Sequence, residues 1–459
     1  MLTYSFILVL MLALELGIIA KRSGGRFTYH LNAGLVLVTS FFAYTVSLPF
    51  SRLVLGTRPL VDSTELSFMF HSLLAALGLA FGLLAYPRST PAARAHANSW
   101  RTMSLLARST IRRGLMVPTV TLAVGAGCVY FLSHAQFSID TLAGAYNAQG
   151  GQNDITTENV TVLDTLLIPL AIVAALHGMY AIKVRALRGL GALVINVLCL
   201  GLLGMFLIQG HRNLMIFLGL SVLGLKQHGR PIRLATFAVA AILAIVAAYS
   251  IGIVRNWGWL QLDQVIVSSE AMDPLNGELG APFSVFAKYQ EIGTTGSLRF
   301  GGTYVTDTAI NLVPQQIWRN RPSSPAVTFS QAYFGTTNLS SGLGFSPLVE
   351  SILNFSSYGV IFVFAVTAMI FVWLDEWART RGRVGTLISC ALLPSIVNWN
   401  RIDFAACCKM FLVYAAFIWI LDKIFYSSVA AKSPLGRSNE LASAPRLTLE
   451  RVFMARDAF

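Results

Sequence analysis

Gly189-Leu-Gly-Ala-Leu-Val-Ile-Asn-Val-Leu-Cys-Leu-Gly-Leu-Leu-Gly-Met-Phe-Leu-Ile208 contains no charged residue. At about 1.5 Å per helical residue, a stretch of this length covers the roughly 30 Å hydrocarbon core of a bilayer. Arg188 stands just before it, and Gln209-Gly-His-Arg212 follows. The rest of the 459-residue chain repeats the pattern: 55% of residues are hydrophobic and only 12% charged. Soluble globular chains carry about 25% charged residues.

Comparable apolar stretches lie near 3–20, 31–50, 66–86, 115–134, 163–182, 189–208, 213–225, 234–254, 351–374, 385–398 and 404–421. Backbone polar groups in lipid must be satisfied within the segment, so these read as helices. The alternation of an outer-membrane barrel is absent. The expected fold is an all-α, polytopic integral membrane protein of about eleven transmembrane helices. The stretches 213–225 and 385–398 are short for a full crossing. No basic region precedes Thr3–Ala20 and no convincing small-residue cleavage site follows, so it reads as a retained span.

The net charge is +13. In a soluble protein that would point to nucleic acid. Here Lys and Arg fall in short loops between apolar stretches, which is topological information, and no nucleic-acid partner is expected. With the N-terminus outward, the inner segments hold 21–26, 88–113, 183–188, 226–233 and 379–383, followed by a basic tail. Together they carry 24 of the 34 Lys and Arg residues. The expected organisation is a bundle of eight spans over 1–254, a large outer loop over 255–350, three spans over 351–421, and an inner basic tail over 422–459. The loop is not low-complexity. Phe283–Ile292 has helical spacing, and Gly301-Gly302 and Arg319-Asn-Arg-Pro-Ser-Ser-Pro325 carry turn chemistry. A long ordered loop is usually functional.

The inner loops carry no Gly-rich phosphate loop, which argues against nucleotide chemistry. No internal repeat of the transporter kind is visible. The five cysteines all lie in apolar stretches, so no disulfide framework is implied. No His pair has metal-ligand spacing and no aspartate cluster suggests a divalent cation, so neither a metal nor another cofactor is expected.

The outer arginines carry the main chemical signal: Arg52, Arg58, Arg212, Arg255, Arg299, Arg319, Arg321 and Arg401. Arg212, Arg255 and Arg401 fall at span ends. Guanidinium binds phosphate bidentately and stays charged, so such a set suits a lipid diphosphate whose tail remains in the bilayer. Snorkelling to headgroups or pairing with acids such as Asp403 are the plainer readings. Glu350 stands where the loop re-enters the membrane, where apolar surroundings suit a general base. A helix N-terminus would equally favour a carboxylate there. Glu15 lies inside the first span and reads as a hydrogen-bonding residue against a neighbouring helix. Lys409 reads as a partner for Asp403 or a snorkelling side chain.

Several motifs lie between 301 and 359: Gly302-Thr-Tyr304, Val313-Pro-Gln-Gln-Ile-Trp-Arg-Asn-Arg-Pro322, Ser346-Pro-Leu-Val-Glu350, Asn354-Phe355 and Gly359. This stretch resembles the Wzy-type O-antigen and exopolysaccharide repeat-unit polymerases. Gly210-His-Arg212 is similar to the glycine-arginine that opens a late span in that family. Two departures stand out: Ser356 replaces the usual glycine after asparagine-phenylalanine, and Gln315 stands where an arginine is common.

The resemblance implies a membrane glycosyltransferase at the periplasmic face of the bacterial inner membrane, with the N-terminus periplasmic and the C-terminus cytoplasmic. It would transfer a growing glycan from undecaprenyl diphosphate onto a lipid-linked repeat unit. It implies Glu350 as base, with Arg212 and Arg255 at the reacting diphosphate. Arg321, Arg319, Arg401, His211, Tyr304 and Asn354 would bind substrate. A chain-length regulator, a flippase and membrane lipids are the further partners. The related O-antigen ligases use a histidine in their large loop, and 255–350 contains none. A transporter of lipid-linked sugars would need more polar residues deep in the spans than Glu15 and Lys409 supply.

Overall fold

A computed structural model of the protein describes residues 2–22, 28–29, 31–55, 62–85, 111–134, 162–208, 212–228, 232–233, 278–292, 298–313, 317–318, 320–322, 326, 328–329, 345–379 and 381–426. The described residues are helical apart from turns and one two-residue antiparallel ladder, Thr28–Tyr29 (β1) with Ile232–Arg233 (β2).

The helices are α1 Leu2–Arg22, α2 Ala33–Thr45, α3 Ser47–Leu55, α4 Ser63–Ala85, α5 Arg113–His134, α6 Val162–Lys183, α7 Leu190–Ile208 and α8 Arg212–Gln227. Within the segment expected as a loop come α9 Ala281–Ile292 and α10 Gly302–Leu312. The chain continues with α11 Pro347–Arg379, α12 Gly382–Trp399 and α13 Phe404–Phe425. Among the described residues, five helices are long and apolar enough to cross a membrane: those over Thr3–Lys21, Ser63–Ala85, Leu166–Lys183, Pro347–Arg379 and Phe404–Phe425. The protein is a membrane-embedded helical protein. α7 differs from its expected stretch by one residue, whereas the crossing expected at 31–50 is divided at Val46 into the shorter α2 and α3. The expected span at 234–254 and the tail lie outside the described residues.

Two hydrophobic cores organise the bundle. One is built from α1 to α4, α9, α11, the C-terminal half of α12 and Cys407 near the start of α13. The other is built from α5 to α8, the N-terminal half of α12, and α13 from Tyr414 onward. α12 belongs to both: Leu392, Leu393, Ile396 and Trp399 pack into the first, Leu387, Cys390 and Ala391 into the second. The tightest approach in the first core is α4 on α11. A Cβ at Gly78 would collide with the Ile361 carbonyl, and one at Gly82 with the Ala365 carbonyl. Small residues four apart let helix backbones meet where lipid supplies no hydrophobic drive.

Basic residues gather at one end. Lys183 Nζ donates to the Leu225 and His228 carbonyls at the foot of α8. Arg383 makes a two-bond ion pair with Asp422 near the end of α13. Arg379 donates to Asp375 and to the Leu31 carbonyl. His177 of α6 meets Phe425 of α13 edge-on at 5.5 Å, so the C-terminal ends of α6, α8 and α13 lie together and α8 and α13 point the same way. The opposite end carries the turn 400–403, the start of α11, and α10.

Candidate functional site

The site is built where α11 and α13 both begin. Ser346 accepts through its carbonyl from Glu350 N at 2.9 Å, opening α11. Phe345 N donates to the Arg401 carbonyl at 2.7 Å, which fastens this start to the turn after α12. Asp403 caps α13, its Oδ1 accepting from Ala406 N at 2.6 Å. Glu350 reaches the same helix end, its Oε2 accepting from Phe404 N at 3.0 Å. Two carboxylates thus satisfy the free N–H groups and positive dipole of α13.

Glu350 is wholly buried, and Oε1 accepts no hydrogen bond among the described residues. The Thr303 hydroxyl stands beside the carboxylate without closing a hydrogen bond to that oxygen. It accepts instead from Asn354 Nδ2 at 2.6 Å. Ser346 Oγ and both amide atoms of Asn398 are likewise buried without partners among the described residues. A buried polar atom without a partner costs about 1–3 kcal/mol, so several at one junction mark a place where a polar ligand or water belongs.

The neighbouring wall is α10, held by a break in α11. Phe355 and Ser356 leave helical geometry, with Ser356 at φ 62° and ψ −172°. The break exposes the Leu353 and Asn354 carbonyls, which accept from Arg299 N and Phe300 N, each at 3.0 Å. Gly301, at φ +86°, turns the chain into α10 against the Phe355 ring. Gly359 is required one turn later, because a Cβ there would collide with Phe355.

Thr303, Tyr304, Asp307 and Asn311 form the inward side of α10. Tyr304 Oη lies 3.4 Å from Ser351 Oγ, and its ring meets Phe404 edge-on at 5.3 Å. Burial, reinforced by the Glu350 charge, holds the Tyr304 hydroxyl well above the usual phenol range. Burial likewise raises the Asp307 carboxyl, against the opposing pull of Arg299, its ion-pair partner at 3.3 Å.

Among the expected cations, Arg321 Nη1 caps α10, donating to the Asn311 and Val313 carbonyls at 3.2 and 2.9 Å. That local role was not foreseen. Arg401 lies in the turn as expected and is 8% exposed. Arg212 is the first residue of α8; its side chain lies outside what is described, as do Arg255, Arg319 and His211. Of the two readings of Lys409, pairing with Asp403 is not seen: no ion pair joins them among the described residues. Lys409 sits half-buried within range of the Arg321 charge. Phe217 of α8 stacks on Tyr414 of α13 at 3.7 Å. Neither carboxylate oxygen of wholly buried Glu15 accepts a hydrogen bond among the described residues, contrary to the expected interhelical bond.

The site therefore unites Glu350 and Asn354 with Tyr304, and places Arg401, Arg321 and Lys409 around them. Thr303, Asp307, Asn398 and Lys409 were missed as site residues. Thr303 had a sequence signal inside Gly302-Thr-Tyr304 and Lys409 one as a charge within a span; Asp307 and Asn398 had none. Comparison with known proteins returned no match to any family model, curated protein or solved structure.

Proposed function

We propose that the chain is a lipid-diphosphate-dependent polysaccharide polymerase of the Wzy type, acting at the periplasmic face of a bacterial inner membrane. The observation that supports this reading is the convergence of two separated motif stretches. Glu350 and Asn354 from one meet Thr303 and Tyr304 from the other in one buried junction.

In this reading Glu350 Oε1 takes the proton of an acceptor sugar hydroxyl. The freed oxygen attacks the anomeric carbon of the donor glycan as the bond to the diphosphate oxygen breaks. The electron pair leaves with the undecaprenyl diphosphate. Arg401, Arg321 and Lys409 supply positive charge on this side, with Arg212, Arg255, Arg319 and His211 joining them by the family resemblance. Such cations act where charge develops on the leaving group. The donor arrives activated, so the reaction requires no nucleotide, and the basic inner loops have none to bind. A flippase would deliver the units and a chain-length regulator would set the stopping point.

The test is purified protein in vesicles given undecaprenyl-diphosphate-linked oligosaccharide. Wild type should produce a ladder of lengthened glycans, and Glu350→Gln should remain monodisperse and produce none. A full ladder from Glu350→Gln removes the base assignment. Failure of wild type to lengthen any lipid-linked unit removes the polymerase reading.

A further inference from the structure

A helix in water buries its apolar stripe and turns its polar side outward. α10 does the reverse. Its polar residues Thr303, Tyr304, Asp307 and Asn311 face the site, and Asn311 Nδ2 is used up internally on the Asp307 carbonyl at 2.8 Å. Its exposed side carries Val305, Ala309 and Leu312 in one stripe, with Thr306 adding a single hydroxyl. The flanking residues extend that surface. Phe300 is 77% exposed, Val305 73% and Ile317 78%, and Leu298 and Trp318 are exposed beside them.

We propose that residues 298–313, with Ile317 and Trp318, are seated in one leaflet of the bilayer, with lipid acyl chains covering the apolar side of α10. The segment would then be a membrane-inserted wall of the site and not part of an aqueous loop.

Continuity with a membrane-crossing surface favours lipid as the occupant. Gly301 lies against the Phe355 ring, which meets Phe362 edge-on at 6.0 Å. Phe362 and Tyr358 are exposed on α11, one of the helices long and apolar enough to cross a membrane. The apolar surface therefore runs from α10 directly onto a span. Its borders are also those of an interfacial element. Trp318 sits at one end, and Arg299 and Arg321 bring guanidinium groups to the two ends of α10. Amphipathic rings and cations collect at headgroup level. A contiguous exposed patch of this kind is not tolerated against water without a partner.

The inference concerns placement, not chemistry, and stands apart from the polymerase reading. The test uses the full chain with its five cysteines replaced by alanine, carrying Val305→Cys or Ile317→Cys labelled with an environment-sensitive fluorophore. Phe362→Cys serves as the lipid-facing reference. In vesicles of lipids brominated in the acyl chains, both positions should show blue-shifted emission and lose fluorescence to a degree comparable with Phe362→Cys. Emission at the aqueous wavelength without quenching overturns the proposal. Blue-shifted emission that bromine fails to quench also overturns it, because protein then covers the face. Two positions on different parts of the segment guard against a single variant that fails to fold.

Discussion

The Glu350 carboxylate accepts from Phe404 N at 3.0 Å, so a side chain in the first turn of α11 completes the first turn of α13. One oxygen is committed to architecture. The other is buried and accepts no hydrogen bond among the described residues.

That division separates two substitutions. Glu350→Gln keeps an acceptor for Phe404 N and should leave thermal stability in detergent close to wild type. Polymer formation, if Glu350 is the base, should fall by about 10²–10⁴. Glu350→Ala removes the acceptor as well and should cost about 1 kcal/mol of stability in addition, in line with loss of a helix cap. Melting curves alongside initial rates separate the two effects.

Ser356 sits in a backbone region that is close to glycine-only, at φ 62° and ψ −172°. Ser356→Gly should therefore stabilise the protein, by about 1 kcal/mol. Ser356→Val should destabilise it by at least as much. An unchanged melting temperature for Ser356→Gly would show that the break in α11 carries no strain.

Gly78 and Gly82 bring α4 against the backbone of α11. Gly82→Val should force the helices apart at a cost of about 2 kcal/mol, typical of overpacking. The expected readout is a lower yield of monodisperse protein. Gly125, with open space around it, is the control and should accept alanine without loss.

Lys409 should contribute to holding an anionic group. Lys409→Met is expected to raise the KM for the lipid-linked donor about tenfold or more, the usual range for a lost charge-assisted hydrogen bond. Lys409→Arg should recover most of it. Equal KM values in all three proteins would assign Lys409 to the lipid headgroups instead.

Asp307 gives a pH signature. Its folded carboxyl is raised by burial above the ordinary value of about 3.9, so the folded state holds that proton more tightly. The resulting stability is complete below the ordinary value and is lost as pH rises through the raised one. Asp307→Asn should flatten the decline in melting temperature across that window. The effect is small, because the Arg299 ion pair is partly exposed to screening.

Much of the helical framework was legible because lipid imposes length and neutrality on each crossing segment. α7, α8 and α13 begin within one residue of their expected starts. The break in α11 was not legible, since Phe355-Ser356 contains neither glycine nor proline to announce it. Glu350 stood out by its position, but its bond to Phe404 joins residues 54 apart and no local pattern encodes it. Arg321 was read as a ligand for phosphate, yet it first serves the carbonyls of the helix just before it. Lys409 gained interest only when the fold brought it near Arg321.

α12 lends its C-terminal half to one core and its N-terminal half to the other. Any rocking of the two halves would have to shear this shared beam out of one of them. Its C-terminal end leads directly into Arg401 and Asp403. That turn is consequently anchored from both sides of the molecule, and a ligand held there would meet a footing that neither half can shift alone.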